Sequence, residues 1–243
     1  MKSFYHAGDV GDLVYGLYVM KALGGGELLV GRRTTLAHLQ PRAGISPQVY
    51  FNIITLLRSQ PYVKRTQWVE TPPFVDYDLN RFRCHWLGLL PTGLNSHLLE
   101  MHCAAFGLTL KDEPWLTVGQ RRVAPVIISR SARQRNHHFP WTEVLAKYRG
   151  SLGFIGFPDE HANFQRDFGP VPFIETRMFL HAAEVIAGAD LFIGNSSAPL
   201  ALAEALKKPI LQETSAETVE KAHTQSLRAS AIDWKPGVSL PNL

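Results

Sequence analysis

A chain of 243 residues, 45% hydrophobic and 19% charged, has an ordinary globular composition and is long enough for one large domain or two small ones. No run of about 18 apolar residues occurs, which argues against a transmembrane helix, and the opening MKSFYHAGD lacks the apolar core of a secretion signal. The formal net charge is +4, and from Leu116 to Thr142 there is no Asp or Glu while Arg121, Arg122, Arg130, Arg133 and Arg135 all fall there, a pattern that fits an anionic ligand or simply a solvated basic surface.

In chain order, Ser3–His6 predicts a short strand and Leu13–Leu23 a helix, with Gly24-Gly25-Gly26 ending that helix and Glu27–Val30 starting the next strand. Val49–Ser59 reads as helix and Val63–Val69 as strand. Residues 70–93, with Pro72-Pro73 and Pro91, read as irregular. Asn95–Phe106 reads as a helix with Asn95 as a possible cap and Gly107 as its stop. Residues 108–125 form a joint carrying the lone Trp115 and the turn "GQRR".

The pattern then restarts. Strands are expected at Val126–Ser129, Leu152–Gly156, Leu191–Gly194 and Ile210–Gln212, with a short extended piece at Phe173–Ile174. Helices are expected at Trp141–Tyr148, Pro158–Phe168, about Thr176–Ala187 and Pro199–Leu206, then a polar helix Ala216–Ala229 and a loop tail. Strands alternating with helices imply parallel sheets with crossover helices. The fold class expected is therefore α/β, with two Rossmann-like parallel-sheet lobes at residues 1–115 and 122–215. Residues 216–243 are expected to form a helix and tail that pack back on the first lobe.

Open α/β sheets bind ligands outside the C-terminal ends of their strands. That rule selects the loops 6–12, 129–138, 156–160 and 194–198. In "HAGDVGDLVYGL" two carboxylates, Asp9 and Asp12, share a turn with Gly8 and Gly11 before a helix. Acids repel an anion there, so either they cap the helix or the loop handles a proton. In "GNSSAPLALAEALKKP" the strand runs into Asn195, Ser196, Ser197 and Ala198, and Pro199 suits the first helical turn. Free N–H groups, hydroxyls and the positive helix end fit a diphosphate, or the hydroxyls merely cap a core helix. Asn195-Ser196-Ser197 also matches a glycosylation sequon.

"IISRSARQRNHHFPW" ends a buried strand and then offers Arg130, Ser131, Arg133 and Arg135, which suit phosphate oxygens. His137 and His138 have no further metal-type ligand nearby and read as exposed. In "FIGFPDEH", Asp159 and Glu160 suit a helix N-terminus electrostatically, and Glu160 is the candidate for ribose hydroxyls. Asp76-Tyr77-Asp78 matches the short D-x-D of some manganese-dependent sugar transferases. GxxxxGK, GxGxxG and GxSxG are all absent, which argues against a Walker-type site, a dinucleotide oxidoreductase and a serine hydrolase. Cys84 and Cys103 stand in no metal or redox spacing and read as free thiols of a reducing, cytoplasmic compartment.

These stretches resemble a family. "GDLVYGLYVMKALGG" resembles the N-terminal signature of glycosyltransferase family 9, the heptosyltransferase type of GT-B enzyme. "RSARQRNHHFPW", "FIGFPDEH" and "ADLFIGNSSAPLALAEALKKPILQE" are similar to the basic loop, the glycine-to-glutamate turn and the diphosphate turn of its second lobe. The likeness covers the first 25 residues and about 125–213.

It implies two lobes facing across a cleft, the first on the acceptor side and the second holding a nucleotide-sugar donor. Transfer would proceed with inversion and with no metal or other cofactor. It further implies that an aspartate of the N-terminal glycine turn acts as base: Asp12 by its offset from the helix, with Asp9 as the other possible match. Arg130, Arg133, Arg135, Ser196, Ser197 and the helix opening at Ala198 would meet the donor phosphates, Glu160 the ribose, and Gly8, Gly11, Ser131 and Asn195 would complete the binding residues. The chain departs from the family at Ser196 and Ala198, where an acid and a glycine are usual, and at Tyr18, where a proline is usual. The acceptor, whether glycan, lipid-linked sugar or nucleic acid, stays open. The alternatives are a non-catalytic sugar-nucleotide or nucleic-acid binding module of the same fold, and a transferase acting on nucleic acid.

Overall fold

The computed structural model describes residues 1–32, 44–83, 97–214, 231–233 and 239–242. The chain divides into two compact units, residues 1–117 with 178–180, and residues 118–177 with 181–243.

The first unit carries strands β1 (Ser3–His6), β2 (Gly26–Gly31), β3 (Val63–Val69) and β4 (Tyr77–Asp78) and helices α1 (Val10–Ala22), α2 (Pro47–Arg58) and α3 (Leu98–Ala105). The sheet order is β3-β2-β1-β4, with every pair parallel. α1 begins at Val10, not at Leu13, so Gly11 and Asp12 lie inside its first turn. It is buried from Asp12 to Met20, as expected of a helix apolar on nearly every side. Ser46 caps α2 by accepting from the Val49 amide at 3.2 Å. His97, with Glu100 reaching back to its amide, caps α3, and Gly107 at φ 63° ends it. The expected cap Asn95 lies outside the described residues.

Residues 108–117 are not a free joint. Trp115 is 2% exposed, its indole donates to the Val14 carbonyl at 2.8 Å, and its ring meets Tyr18 edge-on. The Tyr18 hydroxyl accepts from the Lys111 amide, and the Gln60 amide group bonds both backbone groups of Thr117. This segment therefore plugs the core of the first unit. β4 appears inside the stretch expected to be irregular, because two residues carry no periodicity to read. A 3-10 turn at Leu79–Phe82 follows it. The Asp-Tyr-Asp motif is engaged structurally. Asp76 accepts from the Ser3 amide and hydroxyl at 2.8 and 2.9 Å, and Asp78 caps the 3-10 turn through the Asn80 amide at 3.0 Å.

The second unit carries β5 (Val126–Ser129), β6 (Leu152–Phe154), β7 (Leu191–Asn195), β8 (Ile210–Glu213) and β9 (Ala231–Asp233). Its helices are α4 (Trp141–Lys147), α5 (Pro158–Phe168), α6 (Phe179–Gly188) and α7 (Ala198–Ala205). The order is β6-β5-β7-β8-β9, again all parallel, and Phe173 bridges to Phe154 beyond β6. One face of the sheet packs Val126, Ile128, Ile193 and Leu211 against an aromatic cluster, with Trp141 edge-on to Phe164 at 4.9 Å.

Two expectations need correction. β9 occupies part of the stretch read as loop tail. The described tail belongs with the second unit, not the first: Leu240 packs on this core, Lys147 donates to the Leu240 carbonyl at 2.8 Å, and the Tyr148 hydroxyl donates to the Pro241 carbonyl. The helix expected over Ala216–Ala229 lies outside the described residues, as does Cys84. Cys103 is a free, buried thiol, pushed up to about 12 chiefly by burial and further by Glu100.

Truncating Trp115 to Ala removes a large buried ring and its hydrogen bond. The expected destabilisation of the first unit is about 3–5 kcal/mol. Chemical denaturation checks this, and a loss below about 1 kcal/mol would show that the segment is not part of that core.

Candidate functional site

Parallel pairing puts every strand's C-terminal end on one edge of its sheet. Ligands of such sheets bind where the strand order reverses. In the first unit the reversal lies between β1 and β4, and in the second between β5 and β7. Each unit concentrates polar side chains at that point.

In the first unit β1 leads through Ala7 and Gly8 to Asp9. Asp9 is the extended N-cap residue of α1, and its carboxylate does not cap the helix. Asp12, one turn on, is 7% exposed, and its Oδ2 accepts from Nη2 of Arg83 at 2.5 Å. Arg83 follows the 3-10 turn after β4, so strand pairing brings the two side chains together across 71 residues. A Cβ on Gly8 would lie 2.4 Å from the Arg83 Nη2 and 2.8 Å from the His6 Nε2, so only glycine leaves the guanidinium room here. Phe82 lies under the guanidinium at 4.8 Å and stacks on His102 at 3.9 Å. Asp12 is therefore held in a buried ion pair within the first turn of α1, where the sequence placed it in the glycine turn before the helix. Asp9 is the half-exposed acid of the two.

The second unit brings three of the selected loops together. Asn195, fully buried at the end of β7, accepts from the Ser131 amide at 3.0 Å and donates to the Ser131 and Arg133 carbonyls. It therefore ties the 130–136 loop to the 195–198 turn, and it is not accessible for glycosylation. Ser197 is the extended N-cap of α7, and its hydroxyl donates to the Asn195 carbonyl at 3.0 Å instead of capping the helix. Glu160 joins the third loop. Its Oε2 accepts from the Phe157 amide at 3.0 Å. The Glu160 carboxyl sits above the ordinary glutamate range. Burial is the main cause and Asp159 adds to it, while the Phe157 amide, Arg135 and the Ala132 amide pull the other way. Phe157, 69% exposed, stands beside it.

Arg130 does not act as expected of a phosphate contact. It is 4% exposed, and its guanidinium is clamped by Glu213 at the end of β8, with Nε 2.8 Å from Oε2 and Nη2 2.8 Å from Oε1. Glu213 also accepts from the Asn136 amide at 2.8 Å. The basic run is broken up elsewhere too, since Arg122 pairs with Asp190. At the strand ends this leaves Arg133 exposed and Arg135 half-buried, with Arg135 Nε donating to the Ser131 carbonyl at 3.0 Å. His137 and His138 are exposed.

Sequence reading missed Arg83, Glu213 and Phe157. Nothing local marks Arg83. Glu213 carried a readable signal, as an acid closing an apolar strand. Phe157 carried one as well, as an aromatic at a strand-end turn. Among the described residues no cluster of three or more His, Cys, Asp or Glu could hold a metal ion, and no helix is long and apolar enough to cross a membrane. A cavity of about 220 Å³ at the other end of α1 is lined by Tyr18, Lys21, Lys111 and Glu113, with Lys21 paired to Glu113.

No protein-family model matches the chain, and no curated protein matches it in sequence. Solved structures do match its fold. The E. coli heptosyltransferase WaaC with ADP-2-deoxy-2-fluoro heptose superposes with a TM-score of 0.54 at 13% identity, covering 86% of this chain and 87% of that one. The glycosyl transferase family 9 structure from Veillonella parvula gives 0.54 at 12% identity, over 86% and 79%. E. coli ADP-heptose LPS heptosyltransferase II gives 0.51 at 14%, over 95% and 89%. The chain thus has the fold of these glycosyltransferases.

Removing one partner of the Arg130–Glu213 pair leaves a buried charge unmatched. Arg130→Met or Glu213→Gln alone is expected to cost about 3–5 kcal/mol. The double variant is expected to recover most of that loss in the same denaturation experiment. Equal losses in single and double variants would contradict the pairing.

Proposed function

We propose that this protein is a glycosyltransferase that moves a sugar from a nucleotide-sugar donor to a hydroxyl. In this reading it is a GT-B enzyme of the family 9 type that inverts the anomeric centre without a metal. The observation that carries the reading is the likeness in fold, over 86% of the chain, to a heptosyltransferase holding an ADP-heptose analogue. The polar residues gathered at each sheet's reversal point support it, because they supply the two kinds of group the reaction needs.

The acceptor oxygen bonds to the anomeric carbon as its proton passes to Asp12, and the bond from that carbon to the diphosphate oxygen breaks. The electron pair leaves with the diphosphate. A positioned base accounts for roughly 10²–10⁴-fold in rate. Arg133, Arg135, the Ser131, Ser196 and Ser197 hydroxyls and the first turn of α7 at Ala198 meet the charge on the leaving group. Glu160 accepts from the ribose hydroxyls. Asn195 and Arg130 hold these loops and touch no substrate.

The direct test measures nucleoside diphosphate release from a panel of nucleotide sugars, ADP-heptose among them, with water and simple sugars as acceptors. Asp12→Asn is expected to abolish release and to leave donor affinity by calorimetry nearly intact. If Asp9→Asn is silent instead and Asp12→Asn active, the base is Asp9. No binding or turnover of any nucleotide sugar would end the reading.

Glu160 generates a pH prediction. Its raised position means that it takes up a proton at higher pH than an ordinary glutamate. Nucleotide-sugar affinity should therefore weaken as pH falls through the range just above the usual carboxylate values, and Glu160→Gln should flatten that dependence. A pH-independent wild-type affinity across this range would remove Glu160 from the ribose.

A further inference from the structure

The Arg83–Asp12 pair has the form of a device for keeping a buried acid usable. A carboxylate taken out of water favours its protonated form, and a protonated acid can accept no proton from a substrate. A guanidinium at 2.5 Å reverses that preference. The side chains are 11% and 10% exposed, so water screens the pair little. Three features of the fold keep the guanidinium in place. β4 pairs with β1, which sets the exits of the two strands side by side. Gly8 leaves the space that Arg83 Nη2 fills. The Phe82 ring lies under the guanidinium and is itself backed by His102 from α3.

We propose that Arg83 is a positioning residue: it keeps Asp12 ionised and fixes the plane of its carboxylate for the attacking hydroxyl. This rests on the glycosyltransferase reading above, in which Asp12 is the base. Arg83 itself takes no proton and touches no reacting atom. Among the described residues, the other titratable groups on the elements packed around the pair are His6 and Asp9 on the β1–α1 turn and His97 and His102 at α3, which packs on α1 and on the 3-10 turn.

The experiment uses the full chain and two readouts. NMR of the Asp12 side-chain carboxyl carbon follows its charge state with pH. Release of ADP from ADP-heptose, with water as acceptor, gives kcat and KM. In Arg83→Gln, Asp12 is expected to be protonated at neutral pH where the wild type is ionised. kcat should fall at least about tenfold, a minimum share of what a base supplies, with the KM for ADP-heptose unchanged. Arg83→Lys, which keeps the charge, should restore ionisation and most of kcat. A merely structural arginine would lower the melting temperature without this split and without rescue by lysine.

Gly8→Ala provides an independent arm. It retains the arginine but pushes the guanidinium aside, so it should reproduce the loss of kcat, and it decides the matter if Arg83→Gln does not fold. An ionised Asp12 at neutral pH in Arg83→Gln, or full kcat in Gly8→Ala, would overturn the proposal. The glycosyltransferase reading fails separately, if the wild type releases no ADP or Asp12→Asn is as active as the wild type. The NMR arm still reports on the pair in that case.

Discussion

Within each sheet the described strands all pair in parallel, and that constraint determines where polar chemistry can collect. A parallel sheet is buried on both faces by its crossover helices. A central strand is then nearly all apolar, as in Val126-Ile127-Ile128, and its polar neighbours gather in the turn at its end. Where the strand order reverses, two such turns diverge around a crevice. Asp12 with Arg83, and Asn195 with Ser131 and Arg133, sit at the two reversal points for this reason.

Among the described residues, each unit also has a buried Arg–carboxylate pair at this edge. The pairs are built alike. Arg130 stands just past the end of β5 and reaches the last residue of β8. Arg83 stands past β4 and reaches the first turn of the helix that follows β1. In both cases charge is withdrawn from water, so the geometry must be good for the pair to be tolerated at all. The bidentate contact of Arg130 meets that demand, and the Asn136 amide on the same carboxylate extends it to the loop beyond. Such pairs contribute less to net stability than to register: they specify which turn sits beside which.

Local pattern made much of this fold legible. β1, β3, β5 and α5 fall where apolar runs, β-branched residues and Pro158 place them, because those signals act over a few residues. What escaped depended on distance. β4 is two residues long and exists only because β1 is there to pair with it. Trp115 looked like part of a linker, and only the carbonyl of Val14, 101 residues away, reveals it as core. The glycine turn and the Asn-Ser-Ser turn were legible as strand-end loops because strand-end position is itself a sequence feature. The part played by Arg130 was not, since its acid lies 83 residues on. An arginine in a basic run reads as a free cation until its partner is known.

β9 runs alongside β8 and hydrogen-bonds to its outer side. The residues of β8, Ile210 to Glu213, are all buried, so stripped of that neighbour the strand would offer a row of bare amides and carbonyls on an apolar ribbon. Such a ribbon is a template for another chain. Three residues, Ala231 to Asp233, thus take the outermost place in the sheet, and a nonsense codon ahead of Ala231 would hand that place to the longer, wholly buried β8.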